Sequence, residues 1–173
     1  MYWSVSRGSD HWISKAGLDG SNETRIRNGF PTTIALDGVD RRLYWTEFLT
    51  VQSTKLDGSD YHILKKCPDF YECDFTGLAV NGEVVYLGSK LSAINGIVQG
   101  YAKSNGSLVA NLPTPGTVYD LAVFGSTDDV RVSSRQNDCE ARPCSHLCVL
   151  GRESFKCLCP RNMVLGVDQR TCE

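Results

Sequence analysis

Tyr2-Trp3, Tyr44-Trp45 and Tyr86-Leu87 recur at intervals of 42 residues, twice over, in a chain of 173 residues. A fixed interval of this length constrains the fold more than any single residue does, because it means that one supersecondary unit is copied along the chain. Other landmarks keep step with it. Ile34-Ala35-Leu36 and Leu78-Ala79-Val80 precede the second and third copies, and Leu121-Ala122-Val123 follows the last. Leu18-Asp19-Gly20, Leu56-Asp57-Gly58 and Ser104-Asn105-Gly106 come behind the aromatic stretches. Asp-Gly and Asn-Gly accept the positive φ angles of tight hairpin turns. Each copy therefore reads as a short apolar strand, a turn, an aromatic strand, a loop, a third strand, an Asp-Gly or Asn-Gly turn and a fourth strand.

The stretch RRLYWTEF, Arg41 to Phe48, sharpens this reading because its large residues do not alternate with polar ones. A strand with one wet face alternates, whereas a continuous run belongs to a strand covered on both faces. Four-stranded units of this length stack radially as the blades of a β-propeller, each packed between its neighbours. Tyr44 and Trp45 can then point to opposite faces and both be buried. A β-sandwich would show cleaner alternation, and the Gly-His and Trp-Asp signatures of WD40 blades are absent. The expected class is all-β: a partial, open propeller of about three blades over residues 1–124, a polar connector over 125–137 and a small cysteine-rich domain over 138–173.

The chain is 41% hydrophobic and 22% charged, as folded proteins are. A net charge of -2 with no basic stripe argues against a nucleic-acid partner. No run of apolar residues is long enough to span a bilayer, and MYWSVSRGSD lacks the pattern of a secretory signal. Yet there are eight cysteines, six of them between Cys139 and Cys172, which points to an oxidising compartment. The combination implies an internal piece of a longer extracellular or cell-surface protein.

Ile-Ala-Leu-Asp, Leu-Tyr-Trp-Thr and Leu-Asp-Gly together resemble the YWTD (class B) repeats of low-density-lipoprotein receptor relatives. In that family six blades close the ring, so the resemblance implies that further blades lie upstream and that the Leu121 segment is the innermost strand of a blade they complete. One departure concerns Glu47, which stands where the family motif has aspartate; the inter-blade contacts attributed to that aspartate are in question here. The cysteines at 139, 144, 148, 157, 159 and 172 resemble those of an EGF-like module. Six cysteines allow 15 pairings from sequence alone; the resemblance implies Cys139 with Cys148, Cys144 with Cys157 and Cys159 with Cys172. Cys67 and Cys73, flanking PDFYE, read as a local disulfide, with free thiols as the alternative.

Little in the chain suggests chemistry. Cys157, Cys159 and His146 could in principle hold zinc, but a six-cysteine module this small more often uses disulfides to offset its small core. Calcium-binding EGF modules need oxygen donors near the first and after the third cysteine. Asn137 and Asp138 are present, but Arg135 and Leu150 occupy two donor positions, so no metal is expected. His11, His62 and His146 pair with no nucleophile motif, so no catalytic residue or cofactor is expected. A calcium-dependent propeller hydrolase, the remote alternative, would need Asp37, Asn81 and Asp120 to converge. Asn22-Glu23-Thr24 and Asn105-Gly106-Ser107 are N-glycosylation sequons near third-to-fourth-strand turns, where a glycan is easily accommodated. The resemblance implies a non-enzymatic binding module of an endocytic or Wnt co-receptor, its propeller face engaging protein ligands once the ring is complete. A nidogen-like matrix protein is the alternative. No residue of the ligand contact is assigned from sequence. Acid-triggered release should be weak, since Leu49 or Thr50 and Asp74 occupy the positions where endocytic relatives place histidines, and His62 lies on an outer strand.

Overall fold

A computed structural model describes residues 1–69, 74–92, 94–123, 138–141, 143–150 and 155–173. The expected connector and Cys73 lie outside the described residues. The described fold is all-β but for one four-residue helix, with three consecutive sheets before the cysteine-rich segment. The first holds β1 (Tyr2–Arg7), β2 (Asp10–Lys15) and β3 (Thr24–Asn28) in chain order. The second holds β4 (Thr33–Asp37), β5 (Arg42–Glu47), β6 (Thr50–Lys55) and β7 (His62–Lys66), each antiparallel to the next. The third repeats that meander with β8 (Phe75–Asn81), β9 (Val84–Lys90), β10 (Gly96–Ala102) and β11 (Leu108–Thr114).

The double burial read from β5 is observed. Leu43, Tyr44, Trp45 and Thr46 are consecutive and buried, and Tyr44, the least covered of them, is 2% exposed. Tyr44 joins Val51, Cys67, Phe75, Leu78, Val85, Leu87 and Tyr101 in the core where the second and third sheets meet. Trp45 instead meets Tyr61, ring centroids 6.1 Å apart, and the Arg27 guanidinium lies 3.5 Å over the Tyr61 ring. Burying each large side chain contributes about 1.5–3 kcal/mol. A polar β5 residue at either position would therefore loosen a different layer.

The turns follow from the Asp-Gly and Asn-Gly sites, where Gly20, Gly58 and Gly106 take positive φ. In the second sheet Asp57 Oδ1 accepts hydrogen bonds from Ser59 N (2.9 Å) and Ser59 Oγ (2.6 Å), which closes the turn locally. Gly58 lies against Ile26 of β3, and Gly106 against the carbonyl of Leu64 in β7, so each turn seats on the outer strand of the sheet before it.

The Leu121 segment is expected to pair only with upstream strands of a completed blade, and among the described residues, positions 117–123 have no ladder partner. They run instead across β8 and β9 at close range: a Cβ at Gly77 would come within 2.9 Å of the Asp120 carbonyl carbon, and one at Gly88 within 2.5 Å of Val118 Cγ1. Thr76 Oγ1 donates to the Val118 carbonyl. The backbone is held by proximity to glycines and a side-chain bond, because strand pairing needs a partner edge and the described residues offer none there.

The chain divides into two compact units. One comprises Trp3–Ile13 and Ile26–Val130; the other comprises Met1–Tyr2, Ser14–Arg25 and Arg131–Glu173. In the latter, α1 (Asp138–Ala141) precedes the hairpin of β12 (Leu147–Leu150) and β13 (Phe155–Leu158), in which Cys148 is registered opposite Cys157. Disulfides join Cys139 to Cys148, Cys144 to Cys157 and Cys159 to Cys172. The final turn is tied by Asp168, whose side chain accepts from Thr171 Oγ1 and N and from Arg170 N. The Thr171 hydroxyl bond, then the backbone bonds, lower its pKa to about 2. Lys156 pairs with Asp19 at 3.5 Å in the same unit.

Candidate functional site

The aromatic end of the larger unit is built by three connections. His11 is the second residue of β2, Phe30 lies in the link from β3 to β4, and Phe48 lies in the β5–β6 turn. The His11 and Phe30 rings stand 4.2 Å apart and those of Phe30 and Phe48 5.4 Å apart. Phe30 is 47% and Phe48 60% exposed, so two adjacent rings meet solvent. Phe48 holds a φ of 49°, in the left-handed region that a side chain of this size rarely adopts. Turn geometry at its neighbour Glu47 makes the strain tolerable: Thr50 Oγ1 donates to the Glu47 carbonyl at 2.8 Å.

Glu47 anchors the base of this aromatic end. Its carboxylate accepts from Phe30 N (2.9 Å), Gln52 Nε2 (3.2 Å) and Trp45 Nε1 (3.4 Å). Gly29 passes so close that a Cβ there would fall 2.7 Å from Glu47 Oε2. The Glu47 carboxylate thus ties β5 to the link between β3 and β4. Tyr61 OH donates to Gln52 Oε1, joining Trp45, Gln52 and Tyr61 in one network. Rings that face solvent at Phe30 and Phe48 therefore stand on a hydrogen-bonded base.

At the opposite ends of these strands lies a charged junction that sequence reasoning missed. Lys103, in the β10–β11 turn, pairs with Asp37 at the end of β4 and, at 2.9 Å, with Asp40. Burial pushes the Asp37 carboxyl up, but bonds from Lys103 and from the Asp40 and Val39 amides outweigh it and hold the group below its ordinary value. For Lys103 burial acts downward, and the two aspartates raise it beyond that. No local pattern links residues 66 apart; the only hint was that Lys103 directly precedes the third Asx turn.

The remaining candidates do not assemble. Asp37 is engaged by Lys103, Asn81 ends β8 exposed, and the Asp120 carboxylate accepts from Leu121 N at 2.8 Å. Among the described residues no group of His, Cys, Asp and Glu is arranged to hold a metal. Cys157 is disulfide-bonded to Cys144 and Cys159 to Cys172, and His146 Nδ1 meets Ser145 Oγ at 3.0 Å. Leu150 ends β12. His62 lies on outer strand β7 with Nδ1 2.9 Å from an Arg42 nitrogen and Nε2 3.0 Å from Ser53 Oγ. Arg42 also binds Asp60 at 2.6 Å, and that hydrogen bond, opposed by burial, keeps the Asp60 carboxyl below its ordinary value. Leu49 lies partly buried against the core, Thr50 begins β6 and Asp74 is exposed. Cys67 is disulfide-bonded. Asn22 and Asn105 are both exposed. No helix among the described residues is long and apolar enough to cross a membrane.

No family model matches the chain. Among curated proteins it is 26% identical over 180 residues to the vitellogenin receptor of Solenopsis invicta, covering 100% of this chain and 10% of that protein. It is 27% identical over 184 residues to the vitellogenin receptor Yl of Drosophila melanogaster, covering 99% of this chain and 9% of that protein. Protein cueball of Drosophila yakuba is 33% identical over 94 residues, 50% of this chain and 14% of that protein. A solved structure of a nidogen/laminin complex aligns with 58% of this chain and 40% of its own, at 21% identity and a TM-score of 0.48. The chain spans about a tenth of the vitellogenin receptors it matches. The two vitellogenin-receptor matches extend over both the repeated sheets and the cysteine-rich segment of this chain, which is homologous to those receptors along its length.

Proposed function

We propose that the chain is part of the extracellular region of an endocytic receptor for a vitellogenin-type protein, acting by binding and without turnover. The observation that carries this reading is the end-to-end similarity to two vitellogenin receptors. Three disulfides within a segment of some three dozen residues support an oxidising compartment. Rigid antiparallel sheets hold the connecting loops in fixed positions, and such loops are where binding residues concentrate. The exposed pair Phe30 and Phe48 suits a protein partner, because aromatic anchors supply much of the affinity at protein interfaces.

The test is a biosensor titration of vitellogenin against the full ectodomain that contains this chain, beside a Phe30→Ser, Phe48→Ser double variant of it. Binding by the wild type, with a loss of about 2 kcal/mol or roughly 30-fold in the variant, is expected. An ectodomain that ignores vitellogenin sinks the receptor reading. Equal affinity in the two forms removes the aromatic end from the interface.

A further inference from the structure

Three turns at equivalent places in successive sheets differ by one functional group. Asp19 Oδ1 accepts from Ser21 N (3.0 Å) and Ser21 Oγ (2.6 Å), and Asp57 Oδ1 accepts from Ser59 N and Oγ in the same way. At the third turn the acceptor is the carboxamide of Asn105, whose Oδ1 receives Ser107 N at 3.0 Å. The backbone bond from the serine needs only an oxygen at that position, which aspartate and asparagine both supply. Replacing the carboxylate by the carboxamide therefore leaves the fold alone and adds a nitrogen that the turn does not use. Because the residue two places on is a serine in all three turns, the same replacement creates Asn105-Gly106-Ser107, an N-glycosylation sequon.

We propose that Asn105 carries an N-linked glycan on Nδ2 while its Oδ1 keeps the turn closed. The proposal rests on the extracellular reading above. In the transfer, Nδ2 loses a proton and forms the bond to C1 of a sugar. The C1–oxygen bond of a lipid pyrophosphate-linked oligosaccharide breaks, and the pyrophosphate leaves with the bonding pair. The product amide still presents Oδ1, so the bond from Ser107 N survives. Asn105 is exposed, while the close approach of the turn to the Leu64 carbonyl is made at Gly106. Asn22 belongs to the other sequon but is not an acceptor of its turn; Asp19 fills that role.

The experiment translates the full chain, behind a cleavable leader, into endoplasmic-reticulum microsomes, with Asn22→Gln in every form so that one sequon is read. A mass increase removed by peptide-N-glycosidase is expected for Asn105 and is expected to vanish in Asn105→Asp and in Ser107→Ala. Because the sugar is attached during translocation, this readout does not depend on the final fold. A translocated chain whose mass is the same with and without Ser107→Ala overturns the proposal. It leaves the receptor reading intact, just as an ectodomain that fails to bind vitellogenin leaves the glycan intact. A second arm compares melting of forms made in a host that lacks the transferase, which keep the Asn105 carboxamide intact. Asn105→Asp should melt with the parent and Asn105→Gln below it; an Asp variant that melts as low as the Gln variant overturns the claim that the turn uses only the oxygen.

Discussion

Lys103 and Asp37 form a salt bridge between a turn of the third sheet and the end of the first strand of the second, with only 8% and 5% of their side chains exposed. A buried pair of this kind contributes little net stability relative to an apolar pair, but removing one partner is costly because the other charge stays behind. Lys103→Met should therefore destabilise the chain by about 3 kcal/mol, and adding Asp37→Asn should recover part of the loss. Urea denaturation of the two single variants and the double variant measures this. Additive losses would mean that the two groups are not coupled.

The same pair sets a pH window. The Asp37 carboxyl lies below its ordinary value of 3.8, so its contribution is complete above that pH and is lost as pH falls through the lower folded value. The Lys103 ammonium lies above 10.5, so its contribution is complete below that pH and is lost as pH rises through the higher folded value. The stability difference between wild type and Lys103→Met should be flat from roughly pH 5 to 9 and shrink at both extremes. A difference that varies across the neutral range would assign the effect to other groups.

Glu47 should not tolerate replacement by aspartate. Glu47→Asp shortens the reach by about 1.5 Å, one carbon–carbon bond, and leaves Phe30 N and Gln52 Nε2 without their acceptor. A loss of about 1–2 kcal/mol is expected, close to that of Glu47→Ala. Thermal melts of both variants check this, and an Asp variant as stable as wild type would show that the β3–β4 link follows the shorter side chain.

Gly58 and Gly106 occupy matching turns, yet alanine should cost more at the second. Gly106 combines a φ of 67° with a virtual Cβ 2.2 Å from the Leu64 carbonyl oxygen, whereas Gly58 has a φ of 92° and nothing nearer than 3.4 Å. Gly58→Ala should lose about 1–2 kcal/mol from backbone strain alone. Gly106→Ala should exceed it, because the turn must also lift off β7. The denaturation midpoints rank the two, and the reverse order would refute the seating of the turn on Leu64.

The cysteine-rich segment should depend on its cross-links. Non-reduced peptide mapping is expected to recover Cys139 with Cys148, Cys144 with Cys157 and Cys159 with Cys172. Converting Cys159 and Cys172 together to serine should cost about 2–5 kcal/mol in a module with so small a core. A mapped peptide joining Cys139 to Cys144 would contradict the arrangement.

Much of the architecture was legible because it is written in local, repeated terms. The 42-residue interval, the unbroken run at Tyr44-Trp45 and the Asp-Gly and Asn-Gly turns each report a backbone preference or a burial pattern that needs no distant partner to be read. The exposed pair Phe30 and Phe48 was not legible, since an aromatic residue in a linear sequence gives no sign of whether its ring is covered. Nor was the close approach of residues 117–123 to Gly77 and Gly88, which apolar composition does not specify.

By itself the sequence determined the repeat, the strand order within each sheet, the turn chemistry and the number of cysteines available for cross-links, all properties of neighbouring residues. Tertiary structure alone decided that Lys103 reaches Asp37, that the Glu47 carboxylate ties β5 to the link between β3 and β4, and that residues 117–123 lie in glycine-lined contact with β8 and β9. The physical reason is range. Backbone propensity and side-chain periodicity act over a few residues, whereas an ion pair, a carboxylate cap or a close backbone approach forms only after packing has brought together groups that are far apart in the chain.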